Sequence, residues 1–291
     1  MVEKYKILMY DKDSEETEEK IMRYLTQEQE NILMQTMRAC GEIMRSAHKK
    51  DDVDDGIIEK PGSANFVTAY DVRVQQVLMD KLAEILPSAK FFAEEKENSG
   101  EDTKNGLCFV IDPIDGTTNF IHDYKSSAVS VGLLSDGKPV FGAVYDPYKD
   151  EMFTAHVGEG AFCNGQPIHV SEHDLAHSLV CFGTSPYYKD ELADDAFALA
   201  KELFVNSSDI RRGGSAAIDM CAVACGRMDV FFENRLSPWD YMASYVIITE
   251  AGGCMHNYTG NAVVFDRADC VVCTNAINTQ SVLCITKKYY N

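Results

Sequence analysis

Apolar side chains recur at helical spacing in two segments near the start of the chain. Between residues 28 and 48 they lie three or four positions apart, at Ile32, Leu33, Met37, Cys40, Ile43, Met44 and Ala47. A second apolar face follows Asp71 and is closed by Pro87, with apolar positions at Val74, Val77, Leu78, Leu82, Ile85 and Leu86. The pattern predicts two amphipathic helices.

The hydrophobic period then changes to that of β-strands. Apolar runs at residues 90–93 and 107–111 each lead directly into acidic residues. Three further runs, at 127–134, 139–145 and 151–156, are separated by turn-forming residues. This spacing predicts an antiparallel meander.

Beyond about residue 175, strands and helices alternate. The pattern predicts strands at 179–182 and 229–232 and helices at 190–204, 215–225 and 239–251. Helices and a meander followed by βα units indicate a layered α/β fold in two tightly packed halves. Residues 1–30 are acidic and mostly lack periodicity, so we predict an N-terminal extension before a single domain at 31–291 whose halves meet near residue 170.

Charge restricts the possible functions. The 291 residues include 27 basic and 46 acidic side chains, a net charge of −19, and contain no run of Lys or Arg. Because such a surface repels phosphate backbones, nucleic acid is not expected as a partner. An anionic substrate would need metal ions to bridge the like charges.

Targeting signals and cysteines point to one compartment. The start of the chain has no signal-peptide core, no stretch is apolar enough to cross a membrane, and the ten cysteines lie in apolar segments. We therefore predict a cytoplasmic protein with reduced, buried thiols.

Two metal-like spacings are interpreted as structural. Cys270 and Cys273 have CxxC spacing, but the β-branched residues between them predict a strand, which directs the two sulfurs to opposite faces. His169, His173 and His177 recur every four residues, and the last two are one methylene short of an HExxH motif, with Asp174 in place of Glu. Their polar surroundings favour exposed surface.

The densest chemical signal follows the strand at 107–111, in the segment Asp112-Pro113-Ile114-Asp115-Gly116-Thr117-Thr118-Asn119-Phe120. Two carboxylates three residues apart across a Pro-Ile turn can face one group of cations, and the Ile114 carbonyl adds another hard oxygen. The backbone N–H groups that follow suit a phosphate if a helix begins there.

Two other segments place carboxylates at the ends of elements. Glu94-Glu95 ends the strand at 90–93, and as a neighbouring strand it would lie beside Asp112. Asp240 opens the helix at 239–251. Together these acids form an all-oxygen set suited to Mg²⁺, and they would repel one another without cations.

The segment from Asp112 to Phe120 resembles the central signature of the inositol monophosphatase family, within the wider lithium-sensitive, Mg²⁺-dependent phosphatase superfamily. Further segments agree with this family in order and spacing over about residues 30–285. They are Lys60 with Asn65-Phe66-Val67-Thr68-Ala69-Tyr70-Asp71, Phe91-Phe92-Ala93-Glu94-Glu95, Gly158-Glu159-Gly160-Ala161-Phe162-Cys163-Asn164-Gly165, Arg212-Gly213-Gly214-Ser215-Ala216-Ala217, Trp239-Asp240 and Thr249-Glu250-Ala251-Gly252-Gly253.

The resemblance implies an α-β-α-β-α sandwich, usually a homodimer, that hydrolyses a small-molecule phosphate monoester. It implies Mg²⁺ ligands at Glu94, Asp112, the Ile114 carbonyl, Asp115 and Asp240, with Glu94 also at a weaker third metal. A metal-activated water, oriented by Thr117 with Asp71, would attack phosphorus without a covalent phosphoenzyme.

The resemblance also implies roles for the remaining site residues. Backbone groups of Gly116 and Thr117 would hold the phosphate, and the substrate contacts would include Ser215, Ala216, Glu233 and Asp240. Glu94 would serve catalysis through the metal, and Lys60 and Glu95 would support the adjoining loop and the third metal.

Two positions depart from the family pattern. Ala93 replaces the usual Gly, which an extended backbone tolerates, and Met242 replaces a small residue within one turn of Asp240. Met242 changes either the packing or the wall of the pocket. Thr118-Asn119-Phe120 and Glu233 favour inositol monophosphate as substrate, while fructose 1,6-bisphosphate and a 3′-phosphonucleotide stay open as alternatives.

Two rival interpretations were weighed. Residues 7–10 followed by Asp11-Lys12-Asp13 resemble the strand and nucleophile of haloacid-dehalogenase-type phosphatases, but Glu15 occupies the position where those enzymes need Thr or Val. A non-catalytic scaffold or regulatory protein on the same fold is the alternative from another class, and an absence of Mg²⁺-dependent turnover would favour it.

Overall fold

The structure is a computed structural model that describes residues 23–47, 58–59, 66–98 and 102–289, with only the backbone described at 58–59 and 66–67. The DxD-like segment at Asp11 and Asp13, and Lys60, lie outside the described residues. Seven α-helices occur within the described ranges: α1 Gln27–Ala47, α2 Ala69–Ile85, α3 Thr117–Ile121, α4 Lys189–Asn206, α5 Ala216–Ala224, α6 Pro238–Glu250 and α7 Thr279–Thr286. None of these helices combines the length and apolar character that crossing a bilayer requires.

The described strands form three sheets. A two-stranded ribbon pairs β1 (Ile58–Glu59) with β2 (Phe66–Val67). The seven-stranded sheet runs in chain order from β3 to β9: Lys90–Ala93, Leu107–Asp115, Ala128–Ser135, Lys138–Asp146, Glu151–His156, Gly160–Cys163 and Gln166–Ile168. The five-stranded sheet has the order β11-β10-β12-β14-β13, where β10 to β14 are Leu179–Phe182, Asp209–Arg211, Val230–Leu236, Cys254–His256 and Asp269–Thr274.

The seven-stranded sheet contains the predicted meander. Strands β4 to β9 pair antiparallel with their neighbours in sequence, which confirms the meander. Only β3 pairs parallel to its neighbour in this sheet, and its last residue, Ala93, lies opposite Ile111 of β4. This register brings the next residue of each strand, Glu94 and Asp112, side by side at one edge of the sheet.

Three apolar clusters define the layers. The first packs α1 and α2, through Leu33, Met37 and Leu78, on one face of the seven-stranded sheet. The second encloses α5 and α6 between the two large sheets, and the third packs α4 and α7 on the outer face of the five-stranded sheet. The order is α-β-α-β-α, which confirms the predicted sandwich.

The CxxC segment and the three histidines are structural, as predicted, but the prediction that the thiols are buried is wrong for Cys284, which is exposed, and Cys163, Cys225 and Cys254 are only half-buried. On β14, Cys270 belongs to the outer cluster and Cys273 to the central one, so the two sulfurs face opposite sides of the sheet. The three histidines at 169, 173 and 177 are exposed, in a segment of loop and one short 3₁₀ turn.

Two strand glycines allow α6 to lie close to the seven-stranded sheet. A Cβ at Gly142 would overlap the carbonyl oxygen of Ala243 and lie 2.9 Å from its carbonyl carbon. A Cβ at Gly132 would overlap the Met242 side chain. This close approach fixes the first turn of α6, and with it Asp240, over the sheet.

Candidate active site

A cleft of about 270 Å³ opens where β3 and β4 end and α6 begins. Six acidic side chains contribute to its lining: Glu94, Asp112, Asp115, Asp219, Glu233 and Asp240. The sequence predicted five of them, and the fold brings all five together. Lys60, which was also predicted to belong to the site, is outside the described residues.

Glu94 and Asp112 meet as the strand pairing requires. The Glu94 N–H donates to the Ile111 carbonyl at 3.1 Å, which extends the β3–β4 ladder by one residue. The Glu94 and Asp112 carboxyl groups lie close enough to share a hydrogen bond. Ala93 has the extended backbone that its substitution for Gly required.

Strand β4 differs from the prediction in one respect. We predicted a strand that ends at residue 111 and a Pro-Ile turn, whereas β4 continues to Asp115 with a register shift between Asp112 and Asp115. Because Pro113 has no N–H for the ladder, the chain bulges there. The Asp112 Oδ1 accepts the Ile114 N–H at 3.0 Å inside this bulge. The bulge thus does what the turn was expected to do and directs both carboxylates to one place.

Asp112, Asp115 and Asp240 converge, with one carboxylate oxygen of each within 4.8 Å of the others. Burial raises the pKa of Asp112 and of Asp240 well above the usual range, and the nearby charges of Glu94 and Asp115 raise both further. Burial raises the pKa of Asp115 to about 6. Within the described part of the chain, no Lys or Arg contributes to these shifts.

This donor set fits a metal ion. Two buried carboxylates and the half-buried Asp240 can be ionised together only if a cation occupies the space between them, and oxygen ligands suit hard divalent ions. The Ile114 carbonyl supplies a further oxygen, which in the structure accepts the Thr117 hydroxyl at 3.2 Å. The cluster is therefore able to bind a metal.

Hydrogen bonds from α5 hold Asp115 in place. Its carboxylate accepts from the Ser215 hydroxyl, from the Ala216 N–H at 3.3 Å and from the Ala217 N–H at 2.8 Å. Ser215 and Ala216, which were expected to face the substrate, line the cleft but make these bonds to Asp115. Ala217 had no predicted role.

Gly116 turns the chain from β4 into α3. Its φ of 88° and ψ of 44° are left-handed, and a Cβ there would also crowd the Gly214 carbonyl oxygen at 3.0 Å. A helix does begin at Thr117, as the phosphate-cradle prediction required. Gly116, Thr117 and Thr118 line the cleft beside the acidic cluster.

Asp71 reaches the cleft through Thr117. The Thr117 hydroxyl lies 3.3 Å from Asp71 Oδ1, and Asp71 Oδ2 accepts the Thr68 N–H at 2.8 Å in a capping box that begins α2. Burial raises the Asp71 pKa to about 6 against the lowering effect of the Thr68 hydrogen bonds, and Glu95 adds a smaller upward shift. Glu95 lies behind this pair, where its N–H donates to Gln75 Oε1 at 2.9 Å.

Glu233 also lines the cleft. Its Oε1 accepts the Ser185 N–H at 2.7 Å and the Ser185 hydroxyl at 3.3 Å. Burial raises the Glu233 pKa to about 7, since these hydrogen bonds oppose the shift only in part.

Sequence reasoning missed several residues of the cleft. Asp219 is buried on α5, and burial followed by the charge of Asp115 raises its pKa to about 7. Asp219 is the only charged residue in the apolar helix sequence Ala-Ala-Ile-Asp-Met-Cys-Ala-Val-Ala, and this pattern could have indicated a buried acid at the site. Ser185, Tyr187 and Arg235 also line the cleft, and no motif pointed to them.

Met242 changes the packing, not the pocket wall. Its side chain is fully buried in a small cluster with Phe92, Cys108, Val110 and Leu134. It is absent from the cleft lining and fills the space beside Gly132. The bulky residue thus occupies the gap that a small residue at 242 would leave against the sheet.

We expect the Met242→Ala and Gly132→Ala substitutions to compensate each other. Met242→Ala opens a cavity, at a cost of about 2–5 kcal/mol in unfolding free energy. Gly132→Ala overpacks the same space, at a cost of about 1–3 kcal/mol. The double variant should lose clearly less than the sum when unfolding is measured in urea, and turnover should stay unchanged. Additive losses would show that the two side chains do not share one space.

The protein has an α-β-α-β-α fold, and its cleft contains converging carboxylates next to a helix that begins after a glycine. These are the features of a metal-dependent phosphatase. Comparison with known proteins identifies the family. The model of the inositol monophosphatase family matches residues 25–290. Inositol monophosphatase 1 of Mus musculus is 37% identical over 227 residues, which cover 77% of this chain and 81% of the mouse protein.

Two further matches agree. The Nus factor SuhB of Escherichia coli (strain K12) is 35% identical over 231 residues, covering 79% of this chain and 85% of SuhB. The solved structure of inositol monophosphatase from Anabaena (Nostoc) sp. PCC 7120 has a TM-score of 0.77 and 31% identity, covering 89% of this chain and 94% of that chain. The chain belongs to the inositol monophosphatase family, as the sequence resemblance predicted, and it is a phosphoric monoester hydrolase.

Proposed function

We propose that this protein is a Mg²⁺-dependent phosphomonoesterase that hydrolyses inositol monophosphate or a related polyol or sugar phosphate. The convergence of Asp112, Asp115 and Asp240 within 4.8 Å carries the proposal. The name of the mouse relative, inositol monophosphatase 1, supports the substrate class.

Mg²⁺ fits the donor set because it prefers oxygen ligands. Glu94, Asp112, Asp115, Asp240 and the Ile114 carbonyl would hold it. When bound, Mg²⁺ supplies Lewis-acid chemistry: it neutralises phosphate charge and makes water a better nucleophile.

Thr117 and Asp71 orient the attacking water. The Thr117 hydroxyl has one proton, which it can donate to Asp71 Oδ1 at 3.3 Å or to the Ile114 carbonyl at 3.2 Å. Its oxygen lone pairs then accept a hydrogen bond from water, and ionised Asp71 keeps the hydroxyl in this orientation.

The other side chains position the substrate. The N–H groups of Gly116 and Thr117 hold the phosphate, because oriented backbone donors favour anions. Glu233 accepts hydrogen bonds from substrate hydroxyls, and Ser215 with Ala216 keeps Asp115 aimed at the metal.

We also propose a cytoplasmic homodimer whose activity lithium inhibits. All ten cysteines fall within the described residues and are free thiols, which supports a reducing compartment. The dimer and the lithium sensitivity rest on the family resemblance, and the division into an extension at 1–30 and a catalytic domain at 31–291 rests on the acidity and weak periodicity of the first 30 residues. Sedimentation of the full chain tests the dimer.

The test is phosphate release from inositol 1-phosphate, fructose 1,6-bisphosphate and a 3′-phosphonucleotide, each with Mg²⁺, with EDTA and with Mg²⁺ plus Li⁺. We expect release that requires Mg²⁺ and falls with Li⁺. Equal release with EDTA would contradict the metal assignment.

A regulatory role is the second candidate, and the relative named Nus factor SuhB favours it. Folded protein that releases no phosphate from any of the three substrates would support this role over catalysis.

A further inference from the structure

Two arginines line the predominantly acidic cleft, and they differ in their surroundings. Arg212 donates to the Thr184 hydroxyl at 3.2 Å, and its charge partly offsets the raised pKa values of Glu233 and Asp219. Arg235 also lines the cleft, but its charge is not among the main causes of the pKa shift of either acid. Among the described residues no carboxylate forms an ion pair with Arg235, so its guanidinium has no internal counter-ion.

The fold holds Arg235 in place despite its exposure. Its guanidinium carbon lies 4.4 Å from the centre of the Tyr188 ring. The backbone N–H of Arg235 donates to the Ser185 hydroxyl oxygen at 3.0 Å, and the single proton of that hydroxyl can go to the Arg235 carbonyl oxygen at 3.1 Å or to Glu233 Oε1 at 3.3 Å. The backbone at residue 235 is thus held by Ser185, and the guanidinium lies against Tyr188.

The same serine connects Arg235 to Glu233. The Ser185 N–H donates to Glu233 Oε1 at 2.7 Å, and Glu233 lies two residues before Arg235 on β12. Both residues line the same cleft as the acidic metal cluster. A substrate with its scissile phosphate at the metals can therefore place its leaving group against Glu233 and Arg235.

An unpaired, preoriented guanidinium has a definite chemical preference. It binds phosphate oxygens through two parallel N–H donors, more strongly than neutral hydroxyls. In a chain with a net charge of −19, one such group facing the cleft attracts an anion that the rest of the surface repels.

We propose that Arg235 is a specificity-determining residue that favours phosphate monoesters whose leaving group carries a second phosphate. This inference rests on the proposed function and narrows its substrate class. The second phosphate can belong to a sugar bisphosphate or to a nucleotide with two separate phosphates, and the test has one arm for each.

The test compares wild type with Arg235→Gln and Arg235→Lys. Arg267→Gln is the control, because Arg267 is exposed, lies outside the cleft and forms an ion pair with Asp266. The substrates are inositol 1-phosphate, fructose 1,6-bisphosphate and 3′-phosphoadenosine 5′-phosphate. We expect Arg235→Gln to lower kcat/KM about 10- to 100-fold for at least one bisphosphate, because the substrate loses one charged hydrogen-bonding partner. The change should appear mainly as a higher KM. The loss for inositol 1-phosphate should be clearly smaller than the loss for that bisphosphate, and Arg235→Lys should recover part of the bisphosphate loss.

A binding measurement keeps this inference separate from the proposed function. Calorimetric titration of the same ligands in the presence of Ca²⁺ reports affinity whether or not turnover occurs. Loss of bisphosphate affinity in Arg235→Gln supports the inference even if wild type releases no phosphate. Equal effects on all three ligands, or no effect on either bisphosphate, would overturn it while leaving the metal-dependent activity standing.

Discussion

Replacing Asp112 with Asn will reduce kcat by about a thousandfold or more, since a metal centre contributes several kcal/mol to transition-state stabilisation. Asp112 has three acidic neighbours that raise its pKa, Glu94, Asp115 and Asp240. An amide in its place removes a charge from the metal site. Phosphate release from inositol 1-phosphate, measured over a Mg²⁺ titration, checks this result.

The same substitution should increase the stability of the metal-free protein. An acid whose pKa is higher in the folded state than in the unfolded chain ionises at a lower pH when the chain is unfolded. The free energy of unfolding therefore falls as pH rises from the unfolded-state pKa to the folded-state pKa. For Asp115 the interval runs from 3.8 to about 6, and the Asp112 pKa is also raised. In EDTA, wild type should therefore lose stability as pH rises from about 4, and Asp112→Asn should lose less.

Asp229→Asn is a matched control. Asp229 is a buried aspartate away from the cleft, and its Oδ1 lies 3.0 Å from His173 Nδ1 while its other oxygen accepts the Leu179 N–H at 2.6 Å. Its amide variant should lose stability and keep the activity of the folded fraction. A folded Asp112→Asn protein with normal turnover would refute the metal assignment.

Replacing Asp71 with Asn will lower kcat about 100- to 10,000-fold, the usual range for removing an assisting proton acceptor. The amide can offer its N–H₂ group to Thr117, which reverses the hydrogen bond and misdirects the hydroxyl. Because Mg²⁺ ligands are untouched, the Mg²⁺ concentration for half-maximal activity should not change. A lower kcat with an unchanged Mg²⁺ requirement therefore distinguishes Asp71→Asn from Asp112→Asn.

The pH profile provides a second check on Asp71. Its raised pKa of about 6 means that activity needing the ionised carboxylate should fall as pH drops through about 6. The Asp71→Asn variant should lose this acidic limb from its residual activity. Thr117→Ser, which keeps the hydroxyl, should retain far more activity than Thr117→Val. Equal losses in the two threonine variants would exclude a role for the hydroxyl.

Local signals in the sequence were sufficient for the longer elements before residue 252 and for much of the site, but they did not predict the short strands β8, β9, β11 and β13 or helix α7. The apolar spacing between residues 28 and 48 predicted α1 to within one residue at each end. The strand at Glu151–His156 was predicted at its observed bounds. Such patterns depend on neighbours a few positions away, and these are visible in a single sequence.

Other features depended on contacts between distant segments. The Pro113 bulge was predicted as a turn because strand continuation requires the partner strand, β5. The position of Met242 depended on Gly132, a residue on another element. No local sequence pattern predicts either of these contacts.

The sequence alone therefore determined the layered fold, the family and five of the six acidic residues of the cleft, because periodicity and short motifs encode local geometry and chemistry. The tertiary structure decided which donors hold Asp115, that Met242 packs against the sheet, and that Ser185 joins Glu233 to Arg235. These depend on how separately formed elements pack against one another, and a side chain has no preferred distant partner until that packing is complete.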